Sequence, residues 1–515
     1  MGEQYQIAVI GGGINGVGIA REAVSRGFKT LLLEKDDFGH CTSGNSSKLV
    51  HGGIRYLEQG EFRLVSEALK ERTNLLETAP HLAWHTRINI PVYKGQPRPA
   101  WLIRIGSFLY DMFAGERNLG KSRMLGSNEQ QNYKSLRQKD LKGMVQYSDG
   151  QCLDSRLTLE LALDAKSQGG VVCNHTELLR AHQEKHGYRL RLKDHRNSQE
   201  YEVYCDYLVN AAGPWVPILD QDISQERYRP HLKYVRGIHF VIEGRLEEEG
   251  FLVLPSDGRV IFVLPWVENT TLIGTTESEY SGSDFDNIEP SEEEIKYLLH
   301  HYNYFFEGHP IKREDILYQY AGVRSLLDSG DNSLSALTRE YKIEEEWGQD
   351  KGYLAVFGGK ITTYRALSQK VVDKIANHCK SQSPVKFCTQ STSIHGSRKA
   401  DSQKESDIQK QVQNSRINPS LIDRWKRVYG SCWSLIAAYA LQEEGNCIIL
   451  IEPDYCKAEL LYNMNDEMAW NEEDFILRRS KMIYRMDSEQ RESFRQVLKE
   501  LKPSGEHLDN TILHL

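Results

Sequence analysis

In the first forty residues, the spacing of apolar positions is first that of a buried strand, then that of an amphipathic helix, and then that of a strand again. Residues 6–10 form a short apolar run that predicts a buried strand, and residues 28–33 form a second one. Between them, small and apolar residues recur on one face from 14 to 27, as in a helix that packs on a sheet. The chain therefore begins with a strand–helix–strand unit of the kind that builds a parallel sheet.

The turn between this strand and helix carries the pattern G-x-G-x-x-G at Gly11, Gly13 and Gly16, and Glu34 ends the second strand. In this setting Gly11 makes the tight turn, Gly13 lets a pyrophosphate approach the backbone, and Gly16 lets helix and strand pack closely. The helix N-terminus offers N–H groups and partial positive charge to the phosphates. Glu34 would accept hydrogen bonds from an adenosine ribose, and its charge disfavours NADP. FAD and NAD share this pattern.

Two later segments favour FAD over NAD. Residues 207–213 form a strand pattern that ends in small residues, where a strand end can lie against a nucleotide. Residues 353–356 form another strand, followed by a second glycine-rich loop at 357–365 and a helix at 366–375. A second helix N-terminus adds a second positive dipole end, which in flavin enzymes faces the pyrimidine side of the ring system.

Segment 94–123 has a different pattern. A helix is expected from Pro99 onward, with Arg104, Ser107 and Asp111 opposite an apolar face. The apolar face consists of Trp101, Ile105, Phe108, Leu109 and Met112. Six basic residues face two acidic ones between 94 and 123, and this combination is typical of an interfacial helix on an anionic lipid surface. The alternative from periodicity alone is a helix packed on the core by its apolar face.

Composition and charge exclude several classes of protein. The 515-residue chain has a formal charge of −8, so it has no global attraction to nucleic acid. Its longest apolar stretch, near 433–441, is less than half of the roughly 20 residues that a bilayer span needs. Nine scattered cysteines without a C-x-x-C pair predict reduced thiols and no metal site, and the N-terminus is typical of a cytoplasmic protein.

Residues 380–415 are polar and predict a linker, followed by helices at 422–442, 456–464 and 472–485. Asn471 and Asp474 have the spacing of a reciprocal cap at the last helix. β-rich stretches such as 259–266 and 271–274 interrupt the nucleotide-binding segments and are expected to form a sheet that covers the substrate.

Three segments together resemble the FAD-dependent glycerol-3-phosphate dehydrogenase family. They read I-G-G-G-I-N-G at 10–16, C-T-S-G-N-S-S-K-L-V-H-G-G-I-R-Y-L-E at 41–58, and F-G-G-K-I-T-T-Y-R at 357–365. The resemblance continues through G-T-T at 274–276, Y-A-G-V-R at 320–324 and L-R-R-S at 477–480. It covers essentially the whole chain and is strongest toward the aerobic, quinone-reducing bacterial type. Departures include Glu277 where the family has Asp, and Ser325 where Pro is usual, which is expected to loosen the loop that presents Arg324.

The resemblance implies an interleaved fold and a specific reaction. The fold is α/β (α+β), with a Rossmann-like FAD-binding domain at 1–85, 146–230 and 321–380, and a β-rich substrate cap at 86–145 and 231–320. A small α-helical C-terminal domain would span 396–515. The reaction is oxidation of sn-glycerol 3-phosphate to dihydroxyacetone phosphate by hydride transfer to flavin N5, with electrons passed to a membrane quinone. The alternatives are an oxygen-using glycerol-3-phosphate oxidase and a non-catalytic flavoprotein.

The chemistry requires phosphate cations and a base. Arginine donates two parallel hydrogen bonds to phosphate, and histidine titrates near neutrality. The expected substrate contacts are Arg55, Tyr56, His239, Arg324, Lys360 and Thr362, with His51, His239 and Arg324 as catalytic candidates; which histidine is the base stays open. The expected FAD contacts are Gly11, Gly13, Ile14, Asn15, Gly16, Glu34, Lys35, Ser43, Ser46, Ser47, Lys48, Ala211, Gly213, Gly358, Gly359, Lys360, Ile361 and Thr362. Expected partners are quinone and anionic lipid through 94–123, at the cytoplasmic side of the inner membrane, and a homodimer is possible.

Overall fold

The protein is described here by a computed structural model that covers residues 3–501, apart from nine short gaps. The gaps are 59, 97, 224–229, 329–339, 381–384, 400–401, 416, 443–448 and 452–454. None of the helices within the described residues is long and apolar enough to cross a membrane.

One sheet of eight strands forms the nucleotide-binding layer. Its strands are β1 (Gln4–Ile10), β2 (Thr30–Leu33), β7 (Val171–Cys173), β8 (Thr176–Gln183), β9 (Tyr188–Asp194), β10 (Glu200–Asn210), β17 (Tyr341–Trp347) and β18 (Gly352–Gly358). The order β17-β18-β10-β1-β2-β7 is parallel except at the β17 edge, and β9 extends β10 with β8 beside it. Helix α1 (Ile14–Ser25) lies against α5 (Asp154–Ser167) and α8 (Tyr364–His378), and α6 (Val216–Ile223) follows β10.

A second sheet of ten strands is mostly antiparallel. Its strands are β3 (Leu49–Val50), β4 (Ala83–Tyr93), β5 (Arg123–Met124), β6 (Leu141–Cys152), β11 (Leu232–Glu243), β12 (Gly250–Val253), β13 (Ile261–Trp266), β14 (Thr270–Gly274), β15 (Ser278–Glu279) and β16 (Ile316–Leu327). Its order is β15-β11-β14-β13-β12-β4-β6-β3, with β16 beside β11 and β5 beside β6. The accompanying helices are α2 (Phe62–Thr78), α3 (Ala100–Ala114), α4 (Ser127–Gln130) and α7 (Glu292–Phe305).

The chain passes repeatedly between the two sheets, and the predicted interleaved fold is confirmed. Two strands of the second sheet, β6 and β16, run past 145 and 320, where the sequence suggested the division between domains. The end of β6 pairs with β3, which directly follows the nucleotide-binding loop at 40–48. The strands that cross these predicted boundaries belong to the second sheet, which contacts the first sheet where β16 lies against β18.

The C-terminal segment is mainly helical. Its elements are α9 (Ser402–Gln413), α10 (Pro419–Tyr429), α11 (Trp433–Gln442), α12 (Lys457–Asn465) and α13 (Ser488–Leu501), with strands β19 (Ile449–Ile451) and β20 (Tyr455–Cys456). Between α12 and α13 lie a π-helical segment, Asp474–Arg479, and a 3₁₀ turn, Met482–Tyr484. The cap is confirmed: Asp474 N donates to Asn471 Oδ1 at 3.1 Å, and Asn471 N donates to Asp474 Oδ2 at 3.0 Å.

Two expectations for this segment were wrong. The segment 380–415, expected to be a linker, contains α9. The apolar residues of α9 that pack on the C-terminal segment are Ile408 and Val412, which lie one helical turn apart. Two apolar positions in a polar segment give too weak a period to predict a helix. The single helix expected at 422–442 is two helices, because the chain turns at Gly430 with φ +57°.

Buried ion pairs attach the C-terminal segment to the nucleotide-binding layer. Glu160 in α5 accepts from Arg156 Nη2 at 2.8 Å, from His81 Nε2 at 2.9 Å and from the amide of Gly396 at 3.0 Å. Burial by itself opposes ionisation, but His81 and Arg156 lower the pKa of Glu160 to about 2. Arg156 also pairs with Glu467 at 2.7 Å, so one network spans both parts of the molecule.

Replacing Glu160 with glutamine is expected to destabilise the protein in a pH-dependent way. The folded pKa lies below the unfolded value near 4.3, so the stabilisation is complete above that pH and is lost as the pH falls toward 2. We expect a loss of about 3 kcal/mol at pH 7 and about half of that at pH 3. Urea unfolding at both pH values tests this, with exposed Glu314→Gln as control. An equal loss at both pH values would contradict the prediction.

Candidate active site

A cavity of about 600 Å³ lies between the two sheets. On one side it is lined by the residues that follow the carboxyl ends of β1, β2, β10 and β18. On the other side it is lined by residues in or next to strands of the second sheet, among them Arg324 in β16 and Thr275 directly after β14. The carboxyl edge of a parallel sheet is where nucleotides bind in folds of this type.

The turn after β1 has the geometry of a phosphate-binding loop. Gly11 adopts φ +106°, and a Cβ on Gly16 would stand 1.8 Å from the Gly11 carbonyl oxygen. This close approach places the N-terminus of α1 directly at the cavity. The Ile14 amide donates to Ser43 Oγ at 2.9 Å. The N-terminus of α1 therefore presents a backbone N–H group to an oxygen acceptor.

Glu34 stands at the end of β2 beside this turn. Its Oε2 accepts from the Gly12 amide at 2.5 Å and its Oε1 from the Asp36 amide at 2.9 Å. Burial raises the pKa of the Glu34 carboxyl to about 7, against the opposing effect of these two amides. Two backbone amides thus hold the Glu34 carboxyl group beside the glycine-rich turn.

The two glycine-rich loops, distant in sequence, meet at the cavity. Asn15 Nδ2 donates to the Gly358 carbonyl at 3.0 Å, and the Asn15 side chain lies against Gly359. The Thr362 hydroxyl, at the start of the turn before α8, accepts from the His51 amide at 3.1 Å. The second loop therefore links the nucleotide end of the cavity to the segment 51–57.

Three cationic side chains line the cavity: Arg55, Arg324 and Lys360. Lys360 Nζ lies 3.9 Å from the centre of the Tyr56 ring. Arg324 Nη2 donates to Thr275 Oγ1 at 3.4 Å, and its Nη1 lies 3.6 Å from Glu277 Oε1. Cations of this kind in a cavity wall suit a phosphate, which accepts hydrogen bonds from several donors at once.

Arg324 is not on a loop, contrary to the expectation attached to Ser325. Both residues belong to β16, where Arg324 pairs with Val235 and Ser325 with Tyr234 of β11. The ladder fixes the backbone of both residues, so serine in place of proline loosens nothing here.

The two candidate histidines occupy different positions. His51 lines the cavity in the segment that also carries Arg55. His239 is only 1% exposed and lies behind Ser47, with 2.9 Å between Nε2 and Ser47 Oγ, and it stacks on Tyr320. Burial, Arg324 and Lys48 hold the pKa of His239 well below 6.5, so its ring is neutral at neutral pH.

Most of the residues predicted from the sequence line this one cavity. They are Gly11, Gly13, Ile14, Asn15, Glu34, Lys35, Ser43, Ser46, Ser47, His51, Arg55, Tyr56, Ala211, Gly213, Arg324, Gly358, Gly359, Lys360, Ile361 and Thr362. Three do not: Gly16, Lys48 and His239. The Lys48 side chain turns inward to Asp154, 2.7 Å away, and to the Gly44 carbonyl, because a buried carboxylate needs a cation.

Sequence reasoning missed several lining residues. Thr176, Glu177 and Leu178 reach the nucleotide end from β8, a strand with no motif. Thr275 and Glu277 line the cavity and contact Arg324, and the motif G-T-T-E was a signal that pointed to them. Trp215 lies over Lys35 Nζ at 4.3 Å, a contact that only the fold could reveal.

One cluster outside the cavity combines residue types that can bind metals with two arginine partners. Asp37, His175 and Asp474 are buried together. Arg478 and Arg479 pair with these carboxylates, with Arg478 Nη2 at 2.5 Å from Asp474 Oδ1. Although burial opposes ionisation, the hydrogen bond from His175 and the charge of Arg478 lower the pKa of Asp474. The cluster is therefore a charge-balanced ion-pair network.

Comparison with known protein families and single proteins finds matches over most of this chain. A model of the FAD-dependent oxidoreductase family matches residues 6–364, and a model of the C-terminal domain of alpha-glycerophosphate oxidase matches residues 387–507. The aerobic glycerol-3-phosphate dehydrogenase of Escherichia coli is 34% identical over 505 residues, which cover 97% of this chain and 98% of that protein. The chain belongs to the family of FAD-dependent glycerol-3-phosphate dehydrogenases.

Two further relatives define the range of this dehydrogenase family. D-erythritol 1-phosphate dehydrogenase of Brucella abortus is 35% identical over 496 residues, covering 96% of this chain and 97% of that protein. The solved structure of the Bacillus halodurans glycerol-3-phosphate dehydrogenase, complexed with FAD, aligns with a TM-score of 0.74 at 25% identity, covering 96% of this chain and 94% of that one. The resemblance seen in the motifs and FAD as the cofactor are confirmed.

The residues present fit FAD. Asn15 Oδ1 is buried at the junction of the two glycine-rich loops and has no hydrogen-bond partner among the described residues. The Cβ position of Gly213, after β10, faces open space in the cavity. The helix N-terminus at Ile14, the Glu34 carboxylate and the loop at 358–362 would hold its pyrophosphate, ribose and ring ends respectively.

Proposed function

We propose that this protein oxidises sn-glycerol 3-phosphate to dihydroxyacetone phosphate and passes the electrons to a membrane quinone. The observation that carries the proposal is that Arg55, Arg324, Lys360 and His51 line the same cavity as the glycine-rich turn after β1. The family membership supports the same substrate.

The substrate phosphate would be bound by Arg55 and Lys360; Lys360 contacts the ring of Tyr56, the residue next to Arg55. Arg324, held by Thr275 and Glu277, would direct its guanidinium toward the oxygen on C2. His51, in the cavity wall, would take the hydroxyl proton while the C2 hydrogen leaves as hydride. FAD, when bound, supplies the hydride acceptor at N5. His239 would act indirectly, as the neutral partner that orients the Ser47 hydroxyl.

Anaerobic addition of glycerol 3-phosphate to the purified holoenzyme tests the reaction. We expect the flavin absorbance to bleach, and Arg324→Met to bleach far more slowly than the surface control Arg245→Met, which lies at an exposed ion pair. A flavin that stays oxidised would overturn the dehydrogenase proposal and favour a non-catalytic flavoprotein.

The Brucella relative supports a second candidate substrate, D-erythritol 1-phosphate, which has one more hydroxylated carbon. Both compounds present a phosphate and a neighbouring secondary alcohol, so the same cations and base would serve either one. Rates of flavin bleaching with the two compounds, compared at subsaturating concentration, give the ratio of kcat/KM and decide between them.

The surface around α3 supports a lipid-soluble acceptor. The buried side of the helix consists of Ser107, Tyr110 and Ala114, and its exposed side is apolar. Trp101, Leu102, Ile105, Phe108 and Met112 are between 42% and 62% exposed. The alternative of a helix packed on the core by its apolar face is therefore wrong.

The exposed face lies next to the active site. Helix α3 contacts the segment 54–57 of the cavity wall, and half-exposed Phe62 stacks on Phe113 of α3 at 5.5 Å. Lys94, Lys121 and Arg117 on either side of the helix add positive charge toward anionic headgroups. We accordingly place the protein peripherally on the cytoplasmic side of the inner membrane, where quinone would reach it from the lipid.

Replacing Trp101 and Phe108 with glutamate is expected to abolish flotation with anionic liposomes. Each aromatic side chain contributes about 2 kcal/mol when buried in lipid, so the pair accounts for a partition difference of about a thousandfold. The control replaces Leu179 and Leu317, 40% and 43% exposed elsewhere on the surface, with glutamate. Equal flotation of the α3 variant and the control variant would contradict the lipid contact.

A separate experiment tests which compound accepts the electrons from the reduced flavin. The enzyme reduced by substrate is expected to be reoxidised much faster by a short-chain quinone than by air-saturated buffer. Equally rapid reoxidation by oxygen would favour the oxidase alternative.

A further inference from the structure

The segment 51–57 carries three of the side chains that line the cavity and are expected to contact the substrate: His51, Arg55 and Tyr56. Two hydrogen bonds to its first residues attach it to the rest of the protein. The His51 amide donates to Thr362 Oγ1 at 3.1 Å, and the Gly52 amide donates to the hydroxyl of Tyr110 at 2.7 Å. The first bond comes from the flavin side of the cavity, and the second comes from α3.

Tyr110 is a buried residue on a helix whose opposite face is exposed. It is 1% exposed, and its ring meets the ring of Tyr147 edge-on at 6.0 Å. Its hydroxyl donates to Asp149 Oδ2 at 2.8 Å, and Asp149 Oδ1 accepts from Arg72 Nη1 at 3.1 Å. Both Tyr147 and Asp149 line the cavity.

This arrangement fixes the direction of each hydrogen bond. A carboxylate can only accept, so the phenolic proton points to Asp149 and the phenolic oxygen is left to accept from Gly52. Burial raises the pKa of Tyr110 well above 10, so the phenol keeps its proton across the working pH range. Arg72 also donates to the Arg117 carbonyl at 3.0 Å, just after α3, and thereby ties the end of the same helix to Asp149.

We propose that Tyr110 is a positioning residue for the reaction, which sets the segment 51–57 against the cavity by holding the Gly52 amide. The proposal rests on the function proposed above for His51, Arg55 and Tyr56. Tyr110 itself is not part of the cavity wall; it acts through the backbone of a segment that carries three of the expected substrate contacts. Helix α3 therefore carries both the exposed apolar face and the anchor of the substrate-binding segment.

Tyr110→Phe tests this directly, because it removes one oxygen atom and keeps the ring. The matched control is Tyr93→Phe: Tyr93 is also buried, and its hydroxyl donates to the Arg137 carbonyl at 2.9 Å, away from the cavity. Amide hydrogen exchange is measured on the FAD-loaded enzyme in peptides that cover 51–57. We expect exchange about tenfold faster in Tyr110→Phe, as for the loss of one hydrogen bond, and unchanged exchange in Tyr93→Phe.

Kinetics give the second readout. We expect Tyr110→Phe to raise the KM for glycerol 3-phosphate about tenfold while kcat changes less than about threefold, because the phosphate contacts shift and the chemical step is retained. Exchange in 51–57 equal to that of the wild type, or a KM change no larger than in Tyr93→Phe, would overturn the proposal. If the wild type does not bleach with glycerol 3-phosphate, the proposed function fails, whereas the exchange experiment still decides whether Tyr110 holds the segment.

Discussion

Replacing Gly16 with alanine is expected to leave a folded protein that binds FAD about a hundredfold more weakly, equivalent to roughly 3 kcal/mol of overpacking. The added Cβ would stand 1.8 Å from the Gly11 carbonyl oxygen, a backbone atom that cannot turn aside. Helix α1 must therefore move away from the turn and carry the Ile14 amide with it. The flavin absorbance per mole of purified protein measures the effect.

The same substitution at Gly106 is the control. Gly106 also lies within a helix, and a Cβ there meets nothing within 4 Å. Gly106→Ala should keep a full complement of FAD, and alanine also has the higher helix propensity. Full FAD content in Gly16→Ala would show that the turn tolerates the shift and would contradict its role as a close-packed phosphate loop.

Replacing His51 with asparagine is expected to slow flavin reduction by about a thousandfold, within the range that a general base supplies. His51 lines the cavity, and its ring stacks on that of Tyr56 with 6.5 Å between the ring centres. Asparagine keeps a polar side chain of similar reach but cannot take the proton at neutral pH. The single-turnover rate of flavin bleaching at saturating glycerol 3-phosphate is the measurement.

His239→Asn provides the comparison that assigns the base. His239 is buried behind Ser47 and contacts it at 2.9 Å, so its loss should disturb one hydroxyl and slow reduction about tenfold. His186→Asn, at an exposed histidine, serves as the surface control. A larger loss in His239→Asn than in His51→Asn would instead assign the base to His239, relayed through Ser47.

Local patterns predicted the nucleotide half of the molecule well. Strand β1, helix α1 and strand β2 follow directly from runs of apolar residues and from three glycines whose spacing has a steric cause. For α3 the sequence left two orientations, since a helix with one apolar and one polar face can turn the apolar face either to the core or to the surface. The exposure of Trp101 and Phe108 decided between them.

Residues whose role depends on distant partners were not predictable in the same way. Lys48 lies in a motif beside Ser46 and Ser47, but Asp154, 106 positions away, draws its ammonium group out of the cavity. Helix α9 was missed because its two apolar contacts form only a faint period.

By itself the sequence determined the chemistry of the site: a dinucleotide turn, a second glycine-rich loop, cations for a phosphate and two candidate bases, each recognisable within a few residues. Only the tertiary structure decided which of these groups share a cavity. It brings residues 15 and 358 into contact, buries His239 behind Ser47 and leaves His51 in the wall. It also brings the Tyr110 hydroxyl within hydrogen-bonding distance of the Gly52 amide. The physical reason is that hydrogen bonds and burial depend on distances between segments far apart in the chain, which local periodicity does not contain.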